Sequence, residues 1–301
     1  MTSKSSVFTT AGWQSLVFSV WPRAPNAEPL PLRPISVLAK TLATCSLSAL
    51  SITQSDLTDA HAEILLSALH ASPALESLDL SHNLLSSASA RFFVPLMSSP
   101  NFRSLKLVNN KLNFECCDEF SAALASNCSM RSLALDANAL QTEGVCQLLK
   151  AVNQTSGTGL EVLALSGCRA GGSVNLDNYV FEALLNAVQS PKIRNINLAS
   201  NYFTLEPPSY VAKACTSSRC CVRISSMDGQ ISNLFYGTST ECIEETLFNR
   251  KHIDITASSI KYPGKNKPSP PCMFTSFHNE IFSRDQIKIE QTISQLRLYV
   301  H

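Results

Sequence analysis

The chain has 301 residues and 45% hydrophobic content, enough for a sizeable core in two ordinary domains or one elongated repeat domain, which excludes a largely disordered chain. Twenty-four Lys and Arg against 23 Asp and Glu leave a formal charge of +1, and 16% of residues are charged, so no global field draws the chain to nucleic acid or anionic lipid. Eleven cysteines, an odd number with no CxxC spacing, point to reduced thiols in a cytoplasmic or nuclear protein more than to a disulfide framework.

Residues 1–33 are Ser/Thr-rich and poor in acids, and read as a flexible N-terminal extension. The mildly apolar run Val7 to Trp21 is interrupted by Thr9, Thr10, Gln14, Ser15 and Ser19, too polar for a secretory core, and Pro25-Asn26-Ala27 is a poor cleavage signal. Targeting by this segment stays as an alternative to a cytoplasmic location. After Pro34, Ile35, Leu38 and Leu42 recur at helical spacing and predict a helix over 34–44 that covers the first strand. No stretch has the length and apolarity of a membrane span.

From residue 47 an 11-residue frame recurs, apolar at offsets 0, 3, 5 and 10 with a small polar residue at offset 8. Its clearest copies are Leu75-Leu78-Leu80-Asn83-Leu85, Phe102-Leu105-Leu107-Asn110-Leu112, Met130-Leu133-Leu135-Asn138-Leu140 and Ile193-Ile196-Leu198-Asn201-Phe203. Leu47-Leu50-Ile52-Ser55-Leu57 and Leu160-Leu163-Leu165-Cys168-Ala170 are variants, and Cys221-Ile224-Ser226-Gly229-Ile231 is a degenerate seventh copy. The steps between copies are 28, 27, 28, 30, 33 and 28 residues. Offsets 3 and 5 alternate with polar residues and predict a short strand facing one way. An amide at offset 8 can satisfy backbone groups of neighbouring coils, so Asn83, Asn110, Asn138 and Asn201 read as a structural ladder. Between frames, sets such as Ala62, Leu65, Leu66 and Leu69 have helical spacing. Each unit is thus a strand, a turn and a helix that cannot bury its apolar face alone, and stacking makes a solenoid.

This frame and its period resemble the leucine-rich repeat, in its ribonuclease-inhibitor-like subclass. The resemblance covers about residues 34–231 and implies an α/β solenoid with parallel strands on a concave face and helices on a convex face. It also implies a protein-binding module or scaffold, although the family spans inhibitors, immune sensors and GTPase activators.

On the concave face, offsets 1 and 4 place an acidic patch, Glu76 and Asp79, beside a basic one, Arg103, Lys106 and Arg131, with Glu161, Arg194 and Asn197 further along. These are the candidate partner-binding residues, with the arginines as anchors. A phosphate loop, a GxSxG elbow and HExxH are absent from the sequence, and the histidines are scattered, His61, His70 and His82 reading as surface residues. No metal, cofactor or catalytic residue is expected. Cys215, Cys220 and Cys221 have no second pair at zinc-site spacing, and of the vicinal Cys116 and Cys117 one is expected inside and the other outside.

Two readings from another class accompany the binding module. Ran-type GTPase activators share the repeat subclass, with Arg169 and Asn110 as candidates by position, but the long acidic tail of such activators is missing. A Cys-dependent enzyme would have to use Cys242 in the tail. Residues 232–301 lose the repeat and contain a Pro/Lys/Ser-rich linker near 263–271, so a loosely packed tail is expected there. The expectation is therefore a non-catalytic module that binds a protein through the concave face, with no nucleic-acid partner; partner and oligomeric state have no signal in the sequence.

Overall fold

A computed structural model describes residues 15–19, 32–43, 47–70, 74–126, 129–153, 159–231 and 234–236. Among these residues nine strands form one sheet in chain order. They are β1 (Ser15–Ser19), β2 (Ala49–Thr53), β3 (Ser77–Asp79), β4 (Ser104–Lys106), β5 (Ser132–Ala134), β6 (Val162–Ala164), β7 (Asn195–Asn201), β8 (Cys221–Ser226) and β9 (Leu234–Tyr236). Seven helices return the chain between coils: α1 (Leu32–Leu42), α2 (Asp59–Leu69), α3 (Ala90–Met97), α4 (Cys117–Ser126), α5 (Gln141–Asn153), α6 (Val174–Ala187) and α7 (Ser209–Ser217).

The strands are short because the apolar alternation lasts only from offset 3 to offset 5. In β3 to β6 the central residues Leu78, Leu105, Leu133 and Leu163 are buried, and they pair in register with one another along the ladder. At offset 7 the chain turns through the left-handed region at Gln54, His82, Asn109, Ala137, Gly167 and Ser200, with φ between 52 and 64°. That conformation costs a non-glycine residue about 1–2 kcal/mol. The Asn amides that follow offset it. Asn138 Oδ1 accepts the N–H groups of Asn110 and Leu112 at 3.1 and 3.2 Å, and its Nδ2 donates to the carbonyls of Leu107 and Leu135 at 2.8 and 2.9 Å. Asn83 repeats the pattern on Ser55, Leu57, Ile52 and Leu80. Asn110 binds Leu85, Leu80 and Leu107, and Asn201 binds Ala170, Leu165 and Leu198. At the fifth unit Cys168 stands in for the amide, and its thiol reaches only the carbonyls of Leu135 and Ser166, at 3.3 and 3.7 Å.

A second line of contacts joins the coils on the far side of the turn, and the repeat frame gave no sign of it. The Asp59 carboxylate accepts the N–H of Ser86 at 2.8 Å, Ser87 Oγ accepts that of Asn113 at 2.9 Å, and Thr142 Oγ1 accepts that of Gly171 at 3.0 Å. Between units five and six the buried Asp177 takes this role for Thr204 and Leu205. Behind the sheet one continuous core runs through the coils, with Phe93 edge-on to Phe120 at 6.2 Å and Phe181 stacked on Phe203 at 5.3 Å. Such pairs add about 0.5–1.5 kcal/mol each beyond their burial.

Several details depart from the sequence reading. β1 stands inside the stretch expected to be a flexible extension and pairs parallel with β2, Leu16 opposite Leu50. The helix expected to cap the first strand therefore follows a strand of its own. In the seventh unit β8 pairs Cys221 with Asn195 and Val222 with Ile196, two residues out of the expected frame. This puts Val222 in the core and Arg223 beside Asn197. The short β9 then closes the described sheet antiparallel to β8. Residues 237–301, with the expected tail helix and Cys242, lie outside the described residues.

Both Cys116 and Cys117 are fully buried, because a turn of 3-10 helix at Phe114–Cys116 runs straight into α4 and changes the direction in which successive side chains point. His61 is buried as well. Its Nδ1 accepts the N–H of Thr58 at 3.0 Å in a capping arrangement at the start of α2. Six described cysteines are buried thiols, while Cys221 is disulfide-bonded, so the all-thiol expectation does not extend to it.

Candidate functional site

The sheet face opposite the core is the surface that repeated side chains can offer to a partner. Offset 1 stands one residue ahead of each strand, at its rim, and offset 4 lies within or at the end of the strand. Along the rim Glu76, Arg103 and Arg194 are exposed, and Arg131 and Glu161 are half-buried. Adjacent coils bring these residues together in opposite-charge pairs: Arg103 Nε lies 3.8 Å from Glu76 Oε2, and Arg131 Nε lies 3.6 Å from Glu161 Oε1. Arg131 also donates to the Gly159 carbonyl at 2.9 Å. The acidic and basic patches read from the sequence are therefore interleaved across coils at the rim. With every side chain in these pairs 40% exposed or more, each pair contributes about 0–1 kcal/mol.

In the strands, Asp79 and Lys106 stand in register on neighbouring coils. Asp79 Oδ1 accepts the Ser81 N–H at 3.0 Å, and Asn197 Oδ1 accepts the Ala199 N–H at 3.1 Å. Between these two ends of the row lie Ala134 and Ala164, paired with each other. The structure thus places all eight candidate residues along one sheet, in two rows, without gathering them into a single cluster.

Two residues of the same face were missed. Asp136 sits at offset 6, a solvent-facing position of the frame whose column was not read. It follows the buried Leu135, so alternation turns it to the open face, where Oδ1 accepts the Ser166 N–H at 2.7 Å. Arg223 was hidden by the two-residue phase error in the seventh unit. Its guanidinium lies 5.3 Å from the centre of the Phe235 ring of β9.

The remaining candidates have structural surroundings. Asn110 is buried and commits both its amide N–H groups and its oxygen to the backbone contacts given above, which fits a structural role. Arg169 is exposed in a turn with φ of 64°. Burial pushes the Cys146 thiol up to about 12 and the Cys215 thiol up to about 11, and it raises Cys168 further, so these are packing residues and not ready nucleophiles. Among the described residues no group of three or more His, Cys, Asp or Glu could hold a metal ion, and no described helix is long and apolar enough to cross a membrane.

On the convex side the helices are tied by polar contacts one coil apart. Gln147 Nε2 donates to Asp118 at 2.8 Å, Lys150 Nζ lies 2.7 Å from the Tyr179 hydroxyl, and the Tyr210 hydroxyl donates to Glu182. Their side chains are committed to neighbouring coils, in contrast to the short side chains in the middle of the sheet face.

No family model matches the chain. Among curated proteins, the "NACHT, LRR and PYD domains-containing protein 5" of Mus musculus is 25% identical over 214 residues, covering 70% of this chain and 18% of that protein. The Homo sapiens protein of the same name is 30% identical over 179 residues, covering 58% of this chain and 14% of its own length. The "NACHT, LRR and PYD domains-containing protein 3" of Bos taurus is 32% identical over 126 residues, 41% of this chain and 12% of that protein. The chain thus spans less than a fifth of the relatives it matches. Among solved structures, the tropomodulin C-terminal domain of Caenorhabditis elegans shares 16% identity, with a TM-score of 0.40 over 51% of this chain and 92% of that one.

Proposed function

Because the chain is a leucine-rich-repeat protein, we propose that it is a non-catalytic, intracellular interaction module that docks a protein on the concave face of its sheet. The observation that carries this reading is the continuous face of the described sheet, lined from β2 to β7 by charged, polar and small side chains such as Ser51, Asp79, Lys106, Ala134, Ala164 and Asn197. A curved solenoid face of this kind is the usual binding surface of repeat proteins. Its relatives carry LRR in their names beside NACHT and PYD, which fits a recognition role for this part of such a protein. Asp79, Lys106 and Asn197 would make the central contacts. The rim residues Glu76, Arg103, Arg131, Glu161 and Arg194 would set orientation and association rate by their pattern of sign.

The test compares the wild type with the combined Arg103→Glu, Lys106→Glu, Arg131→Glu variant in a pull-down from the native source, with circular dichroism as the check on folding. Loss of the specific co-purifying protein is expected. Unchanged recovery by a folded variant would overturn concave-face docking.

A further inference from the structure

Asp136 is a charged residue of this face whose ionised form is opposed by burial. It is half-buried, its carboxylate is held by backbone N–H groups, of which Ser166 lies at 2.7 Å, and no basic side chain pairs with it among the described residues. Burial pushes its carboxyl above the ordinary carboxylate range, the backbone hydrogen bonds only partly opposing this, and no neighbouring cation contributes.

Its surroundings are short apart from Val108, which stands at the same offset of the preceding coil. Ala134 and Ala164 are paired in register on adjacent strands, and Ala137 and Gly167 occupy the turn that follows. Longer side chains stand at both ends of this low stretch, Lys106 in the third unit and Asn197 in the sixth. A carboxylate that has lost water without gaining a counter-ion, on a floor of small residues, is complementary to a long side chain that ends in positive charge. Such an arm would cover the alanines with its methylenes and bring a cation to the carboxylate.

We propose that the concave face takes its protein partner through a Lys or Arg side chain of that partner seated on Asp136, over Ala134 and Ala164. This rests on the reading that the face docks a protein, and it adds the chemistry of the anchor. An acidic or uncharged partner segment would leave the carboxylate dehydrated and unpaired, which selects against it.

The experiment uses the full chain and a set of short synthetic peptides that differ only in a central residue, Lys, Arg, Glu or Ser, in otherwise uncharged sequences, with binding read by fluorescence anisotropy. Lys- and Arg-centred peptides are expected to bind at least about tenfold more tightly than the others, and Asp136→Asn is expected to remove that preference. Asn at this position can still accept the Ser166 N–H, so the variant keeps its fold, which circular dichroism checks. Glu182→Gln on the convex side should leave binding unchanged. Binding that ignores the central charge, a preference that survives Asp136→Asn, or no binding of any peptide overturns the proposal. If the triple variant above nevertheless loses its co-purifying protein, docking on this face stands without the cationic anchor, so the two failures are told apart.

Discussion

Asp177 Oδ2 accepts both the N–H and the hydroxyl of Thr204, each at 2.7 Å, while its Oδ1 accepts the Gly172 N–H at 3.1 Å. One fully buried carboxylate at the start of α6 thereby fastens the segment before that helix, in the fifth unit, to the turn of the sixth. Asp177→Ala strands the N–H groups of Gly172, Thr204 and Leu205 and is expected to cost about 3–5 kcal/mol. Urea denaturation measures it, with the exposed cap variant Ser173→Ala, expected at about 1 kcal/mol, as the comparison. Equal costs for the two would mean that Asp177 holds nothing together.

Asn138 serves donors and acceptors of the backbone, four of them at 2.8–3.2 Å, whereas Cys168, at the same place in the next unit, reaches carbonyls only, at 3.3 and 3.7 Å. Asn138→Ala is expected to cost about 3 kcal/mol or more, because buried groups of two coils lose their partner together. Cys168→Ala removes a small packing atom and weak contacts, for about 1 kcal/mol. Thermal unfolding of the two variants side by side decides the order.

A Cβ added at Gly144 would lie 2.7 Å from Cys117 Sγ and 3.1 Å from the backbone at Phe114. Helix propensity alone favours Ala over Gly in α5, yet the clash is expected to make Gly144→Ala destabilising by about 1–3 kcal/mol. Cys117→Ala should recover part of that loss in the double variant, because it removes the nearer atom. A double-mutant cycle that closes to zero coupling would contradict this packing account.

The raised carboxyl of Asp136 makes a prediction about pH. A folded-state value above the unfolded one means that the folded chain holds the proton more tightly. The associated stability is present in acid and lost as pH rises through the folded value. Asp136→Asn should therefore be more stable than the wild type at neutral pH, with the gap closing as pH falls below the unfolded value. Chemical denaturation across pH measures this, and a gap that grows in acid would refute the sign.

The solenoid was legible because its signal is redundant. Leu78, Leu105 and Leu133 repeat a position that one residue alone would not reveal, and the Asn at offset 8 marks the turn each time. What stayed hidden lacked repetition. Asp177 lies in the first turn of α6, in the longest and least regular of the units, and the Asp59 and Thr142 contacts use different residue types for the same task. The seventh unit misled because Val222 and Ile224 satisfy the apolar alternation in either of two phases, and only pairing with β7 fixes which. The rim ion pairs were out of reach because charge sign in a column says nothing about which neighbour a long side chain leans toward. Asp136 could have been found by reading the column at offset 6 as closely as that at offset 4.

A stack in which each coil touches only its neighbours is as strong as its weakest joint. Cys168 interrupts the amide column between the fourth and fifth units, and side chains span the same joint: Asp136 to the Ser166 N–H, Thr142 to the Gly171 N–H and Arg131 to the Gly159 carbonyl. Thermodynamic linkage follows from that placement. A ligand that binds the closed arrangement around Asp136 raises the free energy needed to part the array there, so occupancy would be felt as slower hydrogen exchange on both sides of the joint, well beyond the residues it touches.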